Sequence, residues 1–145
     1  MLCFNTERMI AKTEMSIVDG KLMGSCVQLG SLDLLNLRPC TGLETSFKFF
    51  RKVDEDTEIC HICITHKRNR FEVSYGTQEE FRGQGYMKEA LAYLIEWIFD
   101  NTNEEEIWGL PNGPDSEHIL VASGFDYYGP VENAPSMKWY RIAKP

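Results

Sequence analysis

The stretch Glu79-Glu80-Phe81-Arg82-Gly83-Gln84-Gly85-Tyr86-Met87 sets two glycines and an arginine directly before a run with helical periodicity. The first N–H groups of a helix have no partner within it, and that end carries about half a positive charge. Glycines there let the backbone turn sharply and approach a ligand, so strand, glycine-rich turn and helix together can hold an anion. Arg82 would add a fixed charge. No Gly-Lys-Ser or Gly-Lys-Thr follows, which excludes the phosphate-binding P-loop, and Gly83-x-Gly85 lacks the third glycine of the dinucleotide fingerprint. Taken alone, a single Gly-x-Gly favours the simpler reading, a turn whose glycines accept positive φ.

A cradle of this kind needs a strand before it and a helix after it. Downstream, Met87, Ala90, Leu91, Leu94, Ile95 and Ile98 repeat at i, i+3, i+4, i+7, i+8 and i+11, one face of an α-helix. Tyr93 and Trp97 widen that face, and Asp100-Asn101-Thr102-Asn103 ends it. Upstream, Phe71, Val73 and Tyr75 alternate with Glu72 and Ser74 as a strand does. Before it come an alternating Phe47–Val53, turn residues Asp54-Glu55-Asp56, the apolar Ile59–Thr65 and a polar turn at Lys67–Arg70. Residues 47–76 thus predict three successive antiparallel strands.

After the long helix, Ile107–Leu110 reads as a short strand, and Pro111-Asn112-Gly113-Pro114 cannot lie inside a helix. Asp115 or Ser116 can cap a short helix through Ala122, stopped by Gly124. Phe125–Tyr128 and Ser136–Ile142 read as strands around a Gly/Pro/Asn loop. At the other end, Glu7–Lys12 has β character. Residues 13–46 are broken by Gly20, Gly24, Gly30, Pro39 and Gly42, with room for a short helix around Ser31–Leu37. No internal repeat is present.

The bulk properties bound the function. At 145 residues, 43% hydrophobic and 26% charged, the chain is expected to be one globular domain, 1–145, with a full core. A net charge of −7 argues against a nucleic-acid footprint, since the basic cluster Lys67-Arg68-Asn69-Arg70 is too short to supply one. No apolar run approaches the roughly 20 residues of a membrane span, and Glu7 and Arg8 interrupt the start before a signal-peptide core develops. Five cysteines cannot all pair internally, which suits reduced thiols and a cytoplasmic protein.

Cys60-His61-Ile62-Cys63 with His66 has a superficial metal-site look. Structural zinc takes four ligands, commonly from two separated pairs, and no second pair exists. On a strand, Cys60 and Cys63 point to opposite faces, so a core strand is the expectation and no metal is. Glu104-Glu105-Glu106 reads as a solvated loop.

The segment FEVSYGTQEEFRGQGYMKEAL resembles the cofactor-binding signature of the GNAT acetyltransferase superfamily, Arg/Gln-x-x-Gly-x-Gly/Ala, with Arg82, Gly85 and Met87 at its three positions. The branch that acetylates ribosomal-protein N-termini is most similar. Glu72-Val73-Ser74-Tyr75 matches its Glu-Ile-Gly-Tyr-like strand, and Glu89-Ala90-Leu91 its Glu-Ala-Leu. Ser116, eight residues before Gly124-Phe125, matches its Asn-x-x-Ser…Gly-Phe element, and Thr6-Glu7-Arg8-Met9 its first-strand Thr-Glu-Arg-Leu.

The resemblance implies an α+β fold, a mixed, curved β-sheet flanked by helices, and acetyl transfer from acetyl-CoA to a primary amine, at a protein N-terminus or on a small molecule, by a monomer or homodimer. It implies that the backbone of Arg82, Gly83, Gln84, Gly85, Tyr86 and Met87 takes the pyrophosphate of CoA. The pantetheine arm would run beside Thr77, and an N–H at Tyr75 or Gly76 would polarise the acetyl carbonyl. Direct attack by a neutral amine needs a proton acceptor and a donor for the departing thiolate. Glu72 is the candidate base, a solvated carboxylate being the plainer reading. Ser116 is the candidate acid, a helix cap being the plainer reading. Asn112 is a candidate CoA contact, although it lies four residues before Ser116 rather than three. Leu120 stands where many members carry a tyrosine, and residues 13–46 do not show the two helices that usually shape the acceptor site. A degenerate module that binds CoA or a partner without turnover is therefore the alternative.

Overall fold

The computed structural model describes residues 2–13, 16–18, 20–23, 25–33, 38–67 and 70–145; for 16, 18, 21–23, 25–33, 38–45, 66 and 67 the description is of the backbone. Strands β1 (Leu2–Asn5) and β2 (Met9–Thr13) form a hairpin, and β3 (Ser16–Val18) and β4 (Lys21–Met23) form a separate ribbon. Four antiparallel strands follow: β5 (Ser25–Asp33), β6 (Arg38–Arg51), β7 (Asp54–Lys67) and β8 (Arg70–Thr77). A 3-10 turn at Glu79–Phe81 leads into helix α1 (Tyr86–Asn101). The chain ends with β9 (Glu106–Gly109), α2 (Pro114–Ala122), β10 (Asp126–Val131) and β11 (Ala134–Ala143).

Among the described residues, nine strands make one mixed sheet along the path β1-β2-β6-β7-β8-β9-β11-β10, with β5 beside β2 on β6. Each of its pairings is antiparallel except β8 with β9. Helix α1 packs across β7 and β8. Its buried face is Met87, Ala90, Leu91, Leu94, Ile95, Ile98 and Phe99, the stripe its periodicity predicts, and it meets Phe47, Phe49, Ile62, Ile64 and Val73 of the sheet. Burying a side chain of the size of Leu91, Leu94 or Ile98 stabilises the fold by about 1.5–3 kcal/mol each. Trp97 joins this core, edge-on to Phe47 at 5.3 Å and stacked on Phe4 at 5.5 Å. Tyr93 does not: it is 39% exposed on the far side.

The structure departs from the sequence reading in four places. The turn before β7 is Lys52–Val53, and Asp54 already belongs to the strand. Asp54 nevertheless behaves as a turn residue, its carboxylate accepting the Asp56 N–H at 3.1 Å and the Thr57 hydroxyl at 2.5 Å. Helix α2 begins earlier than expected: Gly113 is its N-cap and Pro114 its first residue, because a missing N–H costs nothing at that position. Of the short helix expected around Ser31–Leu37, residues 31–33 end strand β5, and 34–37 lie outside the described residues. Strands β3, β4, β5 and the first half of β6 occupy the described part of 13–46. In an antiparallel ladder that stretch satisfies its backbone without a helical stripe, which it lacks.

The end of α2 follows expectation. Gly124 adopts φ 96°, its N–H donates to Val121 O at 3.1 Å, and the Phe125 N–H donates to Leu120 O at 3.0 Å, closing a Schellman motif.

Candidate active site

The parallel pair is where the sheet opens. Strands β8 and β9 are in register at Glu72 with Trp108 and at Val73 with Gly109, and there the ladder ends. Strand β8 runs on to Thr77, paired on its other side with β7 from Ser74↔Cys63 to Thr77↔Cys60. Strand β9 stops at Gly109, and Leu110-Pro111 leads away, since proline has no N–H for a ladder. One edge of Ser74–Thr77 is left facing an opening instead of a strand, where backbone groups can meet a ligand, although the Thr77 carbonyl already accepts a bond from Arg82.

Helix α1 points its N-terminus at that opening. Gly85, the N-cap, has φ 80° and Gly83 has φ 75°, a left-handed backbone that other residues adopt at a cost. The first helical bond runs from the Glu89 N–H to Gly85 O at 3.1 Å, and no side chain caps the helix. The N–H groups of Tyr86, Met87 and Lys88 therefore precede the ladder and carry the helix's positive end. Arg82 folds back, its Nε donating to Thr77 O at 3.1 Å, so its guanidinium sits between the strand end and the loop.

Helix α2 forms the opposite wall. The Tyr75 hydroxyl donates to the Ser116 backbone carbonyl at 2.8 Å, a strut from β8 to α2. Burial pushes the Tyr75 phenol well above its ordinary pKa, so it stays protonated. The Ser116 hydroxyl donates to Asn112 Oδ1 at 2.8 Å, so the longer spacing between these residues still brings them together. Ser116 lies inside α2 and is not its cap.

These walls enclose an open groove of about 730 Å³. Ten of the expected site residues line it: Tyr75, Gly76, Thr77, Arg82, Gly83, Gly85, Tyr86, Met87, Asn112 and Ser116. A smaller space of about 70 Å³ lies deeper in the fork, between Val73, Ser74 and Tyr75 on one strand and Leu110, Pro111 and Asn112 on the other chain segment. Gln84 and Glu72 line neither. The Gln84 side chain bonds to Glu80 O at 3.1 Å.

Glu72 is 7% exposed and sits at the last-but-one step before the strands part, opposite Trp108. By strand alternation it faces away from Val73 and Tyr75, on the same side as Arg70. Arg70 stacks on Trp108 at 4.2 Å and on Trp139 at 4.6 Å. On the same side of β7, the His61 imidazole lies against Gly76, where a Cβ would fall 3.0 Å from it.

The cysteine motif behaves as a core strand. Cys60 is fully buried and Cys63 half-buried, as opposite strand faces require. Burial pushes the Cys60 thiol up to about 12, far from a reactive thiolate. Among the described residues, no group of three or more His, Cys, Asp or Glu side chains converges as metal ligands do.

Lys88, Asp115, His118 and Ile119 also line the groove and escaped the sequence reading. Lys88 left a signal. It stands in the first turn of α1, where the dipole disfavours a cation, and an anion in the groove would offset that cost. His118 follows from where α2 lies, which depends on tertiary packing.

A forked mixed sheet with a glycine loop and helix N-terminus at the fork defines an α+β fold with an anion-accepting groove at its open edge. A family model described as acetyltransferase (GNAT) domain matches residues 41–125, more than half of the chain, and the protein belongs to that family. Acetyl-CoA is the family's acetyl donor. Solved structures agree on the fold. A ribosomal-protein-S5-alanine acetyltransferase from Vibrio fischeri aligns with TM-score 0.57 and 21% identity over 70% of this chain and 64% of its own. A spermidine N-acetyltransferase from Vibrio cholerae, in complex with CoA and spermine, aligns with TM-score 0.58 and 15% identity over 69% and 65%. An acetyltransferase from Agrobacterium tumefaciens aligns with TM-score 0.68 and 15% identity over 99% and 95%. The chain thus spans less than two thirds of the Vibrio relatives, while the Agrobacterium protein shares its layout almost throughout. No curated protein matches by sequence.

Proposed function

We propose that the protein transfers an acetyl group from acetyl-CoA to a primary amine, at a protein N-terminus or on a small molecule. The observation that carries this reading is the groove where the uncapped N-terminus of α1 meets the unpaired edge of β8. The diphosphate of CoA would rest on the N–H groups from Arg82 to Met87, with Lys88 adding charge from the first turn. The pantetheine amides would pair with the edge of β8 near Thr77, as an added strand would. A backbone N–H at Tyr75 or Gly76 would hold the thioester carbonyl and stabilise the oxyanion as the amine attacks.

Glu72, buried at the fork on the face away from α1, would take the proton from the incoming amine, directly or through water. Ser116 would return a proton to the thiolate; the Asn112 amide that accepts its hydrogen bond would orient it. A CoA-binding module without turnover is the second reading. It is favoured by Leu120, fully buried where many family members carry a tyrosine.

Calorimetric titration with acetyl-CoA and a thiol-release assay over peptide and polyamine acceptors test both. Binding with turnover supports the transferase, and binding without turnover on any amine supports the module. No binding at millimolar acetyl-CoA overturns both.

A further inference from the structure

The glycine loop is held from behind by a residue far away in sequence. Arg8, in the connection between β1 and β2, reaches three consecutive residues at the junction of loop and helix with one guanidinium. Its Nη1 donates to Gln84 O at 3.1 Å. Its Nη2 lies 3.6 Å from the point where a Cβ on Gly85 would stand. Its guanidinium carbon sits 4.0 Å from the centre of the Tyr86 ring. Arg8 does not line the groove, so its hold on the loop is separate from the groove-lining residues.

Arg8 is itself locked. Glu89, one turn into α1, accepts Arg8 Nε on one carboxylate oxygen at 2.7 Å. Its other oxygen accepts the Arg8 backbone N–H at 2.8 Å and the Thr6 hydroxyl at 2.6 Å. The Glu89 side chain is only 11% exposed and Arg8 40%, so the pair is shielded at its carboxylate end. Thr6, buried at 3% exposure, accepts the Met9 N–H at 3.0 Å, and Met9 is in the β2–β6 ladder opposite Arg51. The chain of contacts therefore runs from the sheet through Thr6, Glu89 and Arg8 to the peptides of Gln84–Tyr86. Its two charges offset each other, so the groove gains rigidity from it and no net charge.

We propose that Arg8, clamped by Glu89 and Thr6, is a positioning residue for the diphosphate of CoA, presetting the Gln84–Tyr86 backbone so that its N–H groups face the groove. The inference rests on the acetyl-CoA reading of that groove. A loop with two left-handed glycines has many conformations open to it, and fixing one beforehand removes that ordering from the cost of binding.

The test compares two acetyl donors. S-acetylpantetheine has the thioester arm of acetyl-CoA and lacks the diphosphate. Arg8→Ala should raise KM for acetyl-CoA roughly tenfold, the size expected for losing a hydrogen-bonded charged support, with the loss in KM rather than kcat. KM for S-acetylpantetheine should stay within about twofold of the parent, since that donor never meets the loop. Arg8→Lys, which keeps the charge but loses the planar fork, should fall between. An equal loss with both donors would reduce Arg8 to a general stabilising residue, and an unchanged KM for acetyl-CoA would overturn the proposal directly.

Amide exchange over residues 83–88 without ligand separates this from the function assignment. The clamp requires faster exchange there in Arg8→Ala and in Glu89→Gln, whether or not the parent binds CoA. Unchanged exchange overturns the clamp alone, whereas a parent that binds no acetyl-CoA overturns the reading of the groove. Should Arg8→Ala fail to fold, Arg8→Lys carries the same two comparisons.

Discussion

The Tyr75 hydroxyl donates to the carbonyl of Ser116 at 2.8 Å, joining strand β8 to helix α2 across the opening where β8 and β9 part. The bond fixes the width of the groove, because the strand edge and the helix wall share no other backbone ladder there. It also commits the phenol proton, and burial keeps that proton in place. Tyr75→Phe should cost about 1 kcal/mol in denaturant unfolding, the usual net worth of one hydrogen bond. The pH dependence of activity should keep its shape. A lost basic limb in the variant would instead make Tyr75 a proton donor.

Gly85 has a backbone conformation that side chains rarely adopt. Its φ of 80° disfavours any L-residue, and a Cβ would approach Arg8. Gly85→Val should therefore abolish acetyl-CoA binding in calorimetry while α1, whose buried face is untouched, keeps its circular dichroism. The left-handed backbone alone costs about 1–2 kcal/mol, more for a β-branched residue. Unchanged affinity would remove the loop from the diphosphate site.

Glu72→Gln preserves shape and hydrogen-bonding length but cannot accept a proton. If Glu72 is the base, kcat/KM should fall by about 10²–10⁴ and the acidic limb of its pH profile should disappear. A profile that keeps its limb would sink that role and direct attention to His61, which lies on the same side of the sheet against Gly76.

Burial alone would raise the pKa of Glu89, but the hydrogen bonds from Thr6, the Arg8 N–H and the Arg8 side chain together hold it below the ordinary glutamate range. A carboxylate with a depressed folded pKa contributes stability that is complete above its unfolded pKa and lost as pH falls through the folded value. Thermal unfolding of the parent should therefore lose stability toward acid more steeply than Glu89→Gln does. Parallel curves across that range would contradict the linkage.

Gly109 marks the end of the β8–β9 ladder, and a Cβ there would lie 2.9 Å from both Leu120 methyl carbons. Leu120 is fully buried and cannot swing away. Gly109→Ala should destabilise by about 1–3 kcal/mol in denaturant unfolding through overpacking. A neutral result would mean that α2 moves freely on the sheet.

What was legible beforehand was what local physics controls. The stripe from Met87 to Ile98 could only be a helix face, and Phe71, Val73 and Tyr75 could only alternate across a strand. Gly124 after a short helical run could be read as a C-terminal stop. The glycine loop gained meaning from its order between Glu72-Val73-Ser74-Tyr75 and Gly124-Phe125, a matter of sequence alone. Residues 13–46 were opaque because their described part is strand set by cross-strand pairing, with a register shift between Leu29 and Leu32, which no local periodicity records.

Amino-acid order alone thus determined most elements from Phe47 onward and the glycine turn before α1, since helix stripes, strand alternation and glycine turns are set by neighbours within a few residues. Tertiary structure decided where β8 and β9 separate, that Asn112 reaches Ser116, that Lys88 and His118 face the same groove as Arg82, and that Arg8 stands behind Gly85. Each of these joins residues held by different elements. Their meeting depends on how α1 and α2 bury their apolar faces on the sheet, an energy shared by the whole core and by no single stretch of chain.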